Sequence, residues 1–478
     1  MKWIFVAILI YIVIFGAVTS LRHYNFQTQA WDLGIFTQVM WNILHGNGMS
    51  TTLEFVENHF AVHMSPILFL LAPGYAVFQN PYYLLIIQTL VLALGALPLY
   101  LTAALRLQGK LLPILITFAY LLYPSLHWVN WFDFHPIAFL IPFFLAAFYF
   151  YETKKYGWMS LFLALAASTQ EDAILVVAFF GVYLMIKDIG RPKDVRCLKI
   201  GLAVILLSVF YFLISIKVIM PYFGGGLLRI DRYAHLGSGF GEIFKNIFLH
   251  PFLFINTLFQ WQKFTYLFGL FLPVAFLPFF AWREMILLIP GIAQNLLTNY
   301  QPQFSGTFQY DASLIAGIFI ATIYGAAKQG DVFAFLTAAP LPSGLPAGKT
   351  RKNITSMLAT TSILAFLWHS PIGVKNFPTA IFQKDARANA FRKMIKNIPP
   401  DVSVATHTNL VPHISNREHV YMLGYEPKLA DVALADGADY FGFPNPKTFQ
   451  QHIQKYADSG KYKVDIIDDR YYILKKIK

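Results

Sequence analysis

Residues Trp3–Thr19 read WIFVAILIYIVIFGAVT, and residues Arg22–Pro66 follow as RHYNFQTQAWDLGIFTQVMWNILHGNGMSTTLEFVENHFAVHMSP. The first run is uncharged and has the length of a helix that crosses a bilayer. The second is too polar to lie in lipid, yet it carries Trp31, Phe36, Trp41 and Phe60. A span that gives way to an amphipathic loop sets the reading of everything after it. The loop is tipped with Asp32, Glu57, His59 and His63, side chains that can move protons or hold ligands. One lysine precedes the first run and no small-x-small cleavage site stands out, so a retained span is expected rather than a removed leader.

The rest of the chain supports a polytopic membrane protein. Of 478 residues, 56% are hydrophobic, 17% aromatic and only 13% charged. Apolar runs recur at 3–19, 82–105, 111–127, 136–151, 157–169, 173–187, 199–219, 263–281, 285–298, 311–327 and 353–369, about eleven transmembrane helices by length. The piece 66–79 is apolar but short, which fits an interfacial or re-entrant segment. The stretch 157–187 is interrupted by Ser168-Thr169-Gln170-Glu171-Asp172 and reads as two short spans joined by an acidic turn. The single cysteine, Cys197, excludes an intrachain disulfide and a cysteine metal site. The net charge of +12 comes from basic residues flanking spans, so no nucleic acid partner is expected.

Those basic residues orient the chain. With Lys2 inside, fifteen Lys/Arg fall on cytoplasmic segments and six on outer segments before residue 374. The N-terminus is then cytoplasmic in a multi-pass cell membrane protein, and Asp32, Asp133, Glu171 and Asp172 share the outer face. The segment from Ala326 to Lys352, rich in Pro, Gly and Ala, reads as a cytoplasmic linker. The expected division is a membrane domain over 1–372, with a large first outer loop at 20–81, and an extracytoplasmic α/β domain over 373–478. In that tail a helix is predicted over Ile381–Ile398 and a second over Lys447–Ala457. Strands are predicted at Val402–Ala405, Val420–Leu423 and Val432–Ala435, with a closing hairpin of Val464–Ile467 and Tyr471–Leu474.

Several residues are candidates for chemistry, each with a plainer alternative. Asp32 opens WDLGIFTQVMWN and could simply cap the helix that follows. His59 and His63 are four apart, near Glu57, a spacing that on a helix would let both rings reach one divalent metal such as Mg or Mn; solvated interfacial histidines are the alternative. Asp133 and His135 stand in WVNWFDFHP, either an aromatic-belt turn or a pair for proton transfer. FGGGLLRIDRY holds Arg229 and Arg232, which could meet a lipid phosphate; it is not a nucleotide-binding loop. In the tail, His407, Asn409, His413 and Arg417 follow the first strand, where α/β sheets receive ligands, or serve as turn and cap residues.

The order WDLGIFTQVMWN, NHFAVHMSPILFLLAPGYAVF, FDFHP, QED and VPHISNR resembles a family of prokaryotic multi-spanning proteins described as predicted membrane proteins with a domain of unknown function. That family is similar in layout to the GT-C glycosyltransferases. The resemblance implies transfer of a sugar from a polyprenyl-phosphate carrier at the outer face to an unknown acceptor, with inversion. Asp32 would be the base or would position the acceptor, and Asp133 with Glu171 or Asp172 would match the other acidic turns. Asp32 stands alone where the protein mannosyltransferases carry a pair of acids. Two readings from other classes stand beside this one: a transporter or flippase of a lipid-linked substrate, and a non-catalytic membrane scaffold.

Overall fold

Apolar runs bounded by charge become helices because a backbone without water must satisfy its hydrogen bonds internally. The computed structural model describes residues 1–187, 195–328, 347–383 and 385–477. Among the described residues, five helices are long and apolar enough to cross a membrane: Lys2–Tyr24, Pro81–Arg106, Leu111–Trp131, Val195–Tyr222 and Gln309–Ala327. Shorter apolar helices run over Ile67–Val77, Pro136–Glu152, Tyr156–Ala167, Ala173–Ile186 and Glu284–Leu296. A further helix, Ala347–His369, contains the last expected span. The linker expected at Ala326–Lys352 lies largely outside the described residues.

The eleven expected spans are not eleven continuous helices. The clearest departure is at 263–281. The helix Trp261–Phe271 stops there, Pro273 sits in a tight turn, and Ala275 and Phe276 both take left-handed conformations at φ 54°. Pro278 opens another short turn, Leu277–Phe280. Each proline lacks the amide that a continuing helix needs. The 157–187 stretch divides as read, into Tyr156–Ala167 and Ala173–Ile186, with Glu171 and Asp172 in the turn between them.

The helices differ in how they are used. Within Gln309–Ala327, 83% of the most apolar window is buried, so this helix is central; in Val195–Tyr222 only 11% is buried. The latter turns Leu202, Leu206, Leu207, Phe210 and Leu213 outward, an apolar face suited to lipid. On its other side it meets the helix Ala173–Ile186 closely, at a pair of glycines. A Cβ on Gly181 would lie 2.6 Å from the Gly201 carbonyl, and one on Gly201 the same distance from the Gly181 carbonyl. Glycine at both positions lets the two backbones approach.

The tail forms one five-stranded sheet: β1 (Val404–Thr406), β2 (Val420–Met422), β3 (Val432–Asp436), β4 (Tyr462–Ile467) and β5 (Tyr471–Lys476), in the order β2-β1-β3-β5-β4. β1 pairs in parallel with both β2 and β3, and β5 pairs antiparallel with β3 and β4. The chain leaves β1 for β2 on one side and returns to β3 on the other, so the carboxyl end of β1 is a switch point of the sheet. The predicted strands and both predicted helices are present, the latter as Ala386–Ile395 and Pro446–Asp458. One face of the sheet shares a continuous apolar core with the first loop, through Val404, Val411, Val420, Phe26, Leu33 and Leu53. The other face has its own core around Ala405, Phe449 and Tyr456.

Candidate functional site

Asp32 does not cap a helix. It lies within a wide helical turn, Ala30–Gly34, that runs straight into the helix Ile35–Leu44, and the residue before that helix is Gly34. Its carboxylate is turned away from the backbone: Oδ1 lies 3.0 Å from Nε2 of His135. The other ring nitrogen of His135, Nδ1, lies 3.0 Å from the Phe132 carbonyl. A carbonyl only accepts, so Nδ1 is the donor in that contact, and Nε2 is the nitrogen that faces Asp32. The backbone amide of His135 donates to Gln88 Oε1, whose amide nitrogen donates to the Asp133 carbonyl, which fixes this turn. Asp133 itself takes a left-handed conformation, φ 48°.

Asp133 is buried beside this pair. Its Oδ1 lies 3.1 Å from the Arg22 guanidinium and its Oδ2 accepts from the Gln29 amide at 2.8 Å. Burial raises its carboxyl to about 6, against the pull of Arg22; the charge of Asp32 adds to the rise. Arg22 also donates to the carbonyls of Trp131 and Gln27 and stacks over the Trp131 ring.

The second acidic turn makes a separate cluster. Glu171 accepts from His63 Nδ1 at 2.9 Å and from the Met64 amide at 2.9 Å. Burial opposes its charge, but His63 outweighs it and the carboxyl stays below its usual range. His63 is pushed up in turn: burial works against its cation, and Glu171, with Glu54 and Asp172, overcomes it. Asp172 accepts from Gln294 through Oδ2 at 2.7 Å, while its buried Oδ1 has no partner. Burial, then the charge of Glu171, raises it to about 6.

His59 and His63 do not act as a helical ligand pair. Residues His59–Ala61 form a single tight turn rather than an α-helix, the ring centroids are 6.0 Å apart, and each Nδ1 faces its own carboxylate, Glu54 for His59 and Glu171 for His63. Among the described residues no three His, Cys, Asp or Glu side chains converge as a metal site would require. The glycines of FGGG have a packing reason: Gly226 donates to the Ala61 carbonyl, and a Cβ on Gly225 would clash with that carbonyl. Glu57 and Arg229 are exposed.

Arg232 joins the two clusters. It donates to Gln303 Oε1 at 3.2 Å and lies over the rings of Tyr300 and Tyr310, at 4.2 and 5.3 Å. Gln303 bonds the Gln294 carbonyl, and the Gln294 side chain reaches Asp172. In the other direction, Tyr310 leads back toward His135 through ring contacts. Phe308 lies between Tyr310 and Phe132, and Phe132 stacks on His135. On the remaining side the Phe36 ring touches both His59 and His135. The contacts therefore close into a circuit that holds Asp32, His135, Arg232, Asp172, Glu171 and His63. Gln294, Gln303 and Tyr310 carry no sequence signal for this role; Arg22, a cation at the end of a span, is the one addition that could have been suspected.

The tail residues lie elsewhere. Asn409 donates to the Phe26 carbonyl, and the His413 ring stacks on His23 at 3.9 Å and 4°. Arg417 is buried on the carbonyls of Ile414, Pro399 and Val402, and burial lowers it to about 10. His407 accepts from the Asp436 amide, and burial lowers it to about 4. Asn409 and His413 fasten the tail to the N-terminal part of the chain, and His407 and Arg417 hold the tail together.

No curated protein matches the chain. Among solved structures, ArnT from Cupriavidus metallidurans in the apo state is similar, with 13% identity, 97% of each chain covered and a TM-score of 0.49. The family model described as predicted membrane protein, DUF2079, matches residues 22–473. The match takes in the first loop, the acidic turns and the tail alike, and the chain belongs to that family of predicted membrane proteins.

Proposed function

We propose that the protein is an integral membrane glycosyltransferase that moves a sugar from a polyprenyl-phosphate carrier to an acceptor hydroxyl at the outer membrane face. The observation that supports this reading is that a carboxylate–imidazole pair, Asp32 and His135, and a cation, Arg232, are joined by one run of ring contacts through Phe132, Phe308 and Tyr310. Group transfer from a phosphate needs both, a base for the incoming hydroxyl and positive charge for the departing phosphate.

The step runs as follows. The acceptor oxygen attacks the anomeric carbon, and its proton passes to the free oxygen of Asp32. The bond from that carbon to the phosphate oxygen breaks with inversion, and its electron pair leaves on the polyprenyl phosphate. Arg232 meets the charge that develops there. His135, with Nε2 against Asp32, keeps the carboxylate oriented, much as a buried partner orients a catalytic group elsewhere. Asp133, paired with Arg22, supports the turn without facing the acceptor. Glu171, Asp172 and His63 would supply acceptors and donors for the sugar's hydroxyls.

The test supplies radiolabelled polyprenyl-phosphate sugars to the purified protein in lipid nanodiscs and follows release of polyprenyl phosphate. Wild type turns over, and Asp32→Asn falls by about 10²–10⁴-fold. Equal turnover in the variant removes Asp32 from the mechanism. Absence of turnover in the wild type with every carrier sugar supplied sinks the enzyme reading.

A further inference from the structure

The carboxyl end of β1 is the position where a sheet of this topology receives a ligand. Here the crevice is filled by the chain's own first loop. Thr408, two residues beyond β1 and 5% exposed, makes two hydrogen bonds across it. Its hydroxyl oxygen accepts from the Ala30 amide at 3.1 Å, and its hydrogen goes to Gln29 Oε1 at 3.0 Å. The next residue, Asn409, holds the Phe26 carbonyl at 2.9 Å. The short helix Val411–Ile414 packs against the turn that carries Asp32, with Val411 directly over Gly34.

The residues so held are the ones that shape the site. The Gln29 amide donates to Asp133 Oδ2 at 2.8 Å, and Ala30 begins the turn in which Asp32 stands. We infer that the tail is a clamp on this site and that Thr408 is a positioning residue, setting Gln29 for Asp133 and the Ala30–Gly34 turn for Asp32. A hydroxyl is required rather than mere volume, because only a group that accepts from one amide and donates to another oxygen fills both roles. The effect on turnover rests on the glycosyltransferase reading; the clamp does not.

Two variants of the full-length protein in nanodiscs test this. Thr408→Val keeps the shape and removes both bonds; Thr408→Ser keeps the hydroxyl. Hydrogen exchange is followed over residues 26–34, and turnover with its pH profile is measured alongside. In Thr408→Val, the Ala30 amide exchanges about tenfold faster. Turnover falls about tenfold, and the acidic limb of the profile moves to higher pH as Asp133 loses the Gln29 bond that favours its charge. Thr408→Ser restores both. Unchanged exchange in Thr408→Val overturns the clamp. Faster exchange with unchanged turnover and profile in an active enzyme overturns the positioning role. A wild type without turnover defeats the glycosyltransferase reading, and the exchange result still decides the clamp.

Discussion

The carboxylate of Asp32 and the imidazole of His135 meet at 3.0 Å although 103 residues separate them in the chain. The pairing resolves a competition that local sequence leaves open, since an aspartate ahead of an apolar helical stretch has its own amides within reach. The wide turn at Ala30–Gly34 carries the side chain past those amides and toward the FDFHP turn. His135 is presented there by Gln88, which grips the backbone on both sides of Phe134.

Replacing His135 by Phe should therefore disable the pair without unfolding the protein. The ring volume is kept in its contacts with Phe36 and Phe132, while the nitrogen that meets Asp32 is lost. Turnover should drop by about 10–10²-fold with a melting temperature within a few degrees of wild type. Steady-state rates and a thermal melt check this together; a variant as active as wild type would show that Asp32 needs no partner.

Arg22 answers the charge of a buried acid. Arg22→Met leaves Asp133 with the Gln29 amide but no cation, and stability should fall by about 3–5 kcal/mol. Adding Asp133→Asn should recover most of that loss. Unfolding midpoints of the two variants decide whether the pair is coupled.

Asp172 gives a pH dependence with a definite sign. Its carboxyl stands at about 6 in the fold against 3.8 ordinarily, so the unfolded chain releases this proton first as pH rises. The contribution of this group to stability is greatest below pH 4, declines through the window from 4 to 6, and is gone above it. Asp172→Asn should therefore raise stability by about 1–2 kcal/mol at pH 7.5 and leave it unchanged at pH 4. Melts at the two pH values measure the difference. Glu171 runs the opposite way, its contribution lost as pH falls, so the comparison is made against wild type at each pH.

Arg417 is a structural cation. Arg417→Met strands the carbonyls of Ile414, Pro399 and Val402, at a cost of about 2–4 kcal/mol. Hydrogen exchange should quicken in β1 and β2 first, with the helices of the membrane domain protected as before.

What the sequence carries well is what depends on neighbours. The strands of the tail follow from runs such as VALA at Val432–Ala435, where β-branched and small residues sit between turn residues, and the acidic break at Glu171-Asp172 follows from charge inside an apolar stretch. The interrupted span is a different case: Pro273 and Pro278 are visible in FLPVAFLPFF, and their combined effect on the helix outweighs the run's hydropathy. The site is legible only in part. Asp32, Asp133, His135, Arg232, Glu171, Asp172 and His63 can each be singled out by type. That the first three form one group, that Phe36 stands between His135 and His59, and that Gln294 and Gln303 complete the path depends on long-range packing that no local pattern encodes. The tail histidines and Arg417 are distinctive by type too, but their partners are backbone atoms brought close by folding.

The loop in the crevice of the sheet also sets an order in time. Ala30 and Thr408 are 378 residues apart, so the loop is synthesised and its neighbouring spans inserted long before the hydroxyl that receives its amide exists. Until then the Ala30 amide lacks this partner, and the turn is held from the membrane side, through Gln29 and Asp133. If the tail clamps the site, completion of the site would wait for the tail: a nascent or C-terminally shortened chain would have its helices in the membrane before its front loop is fastened.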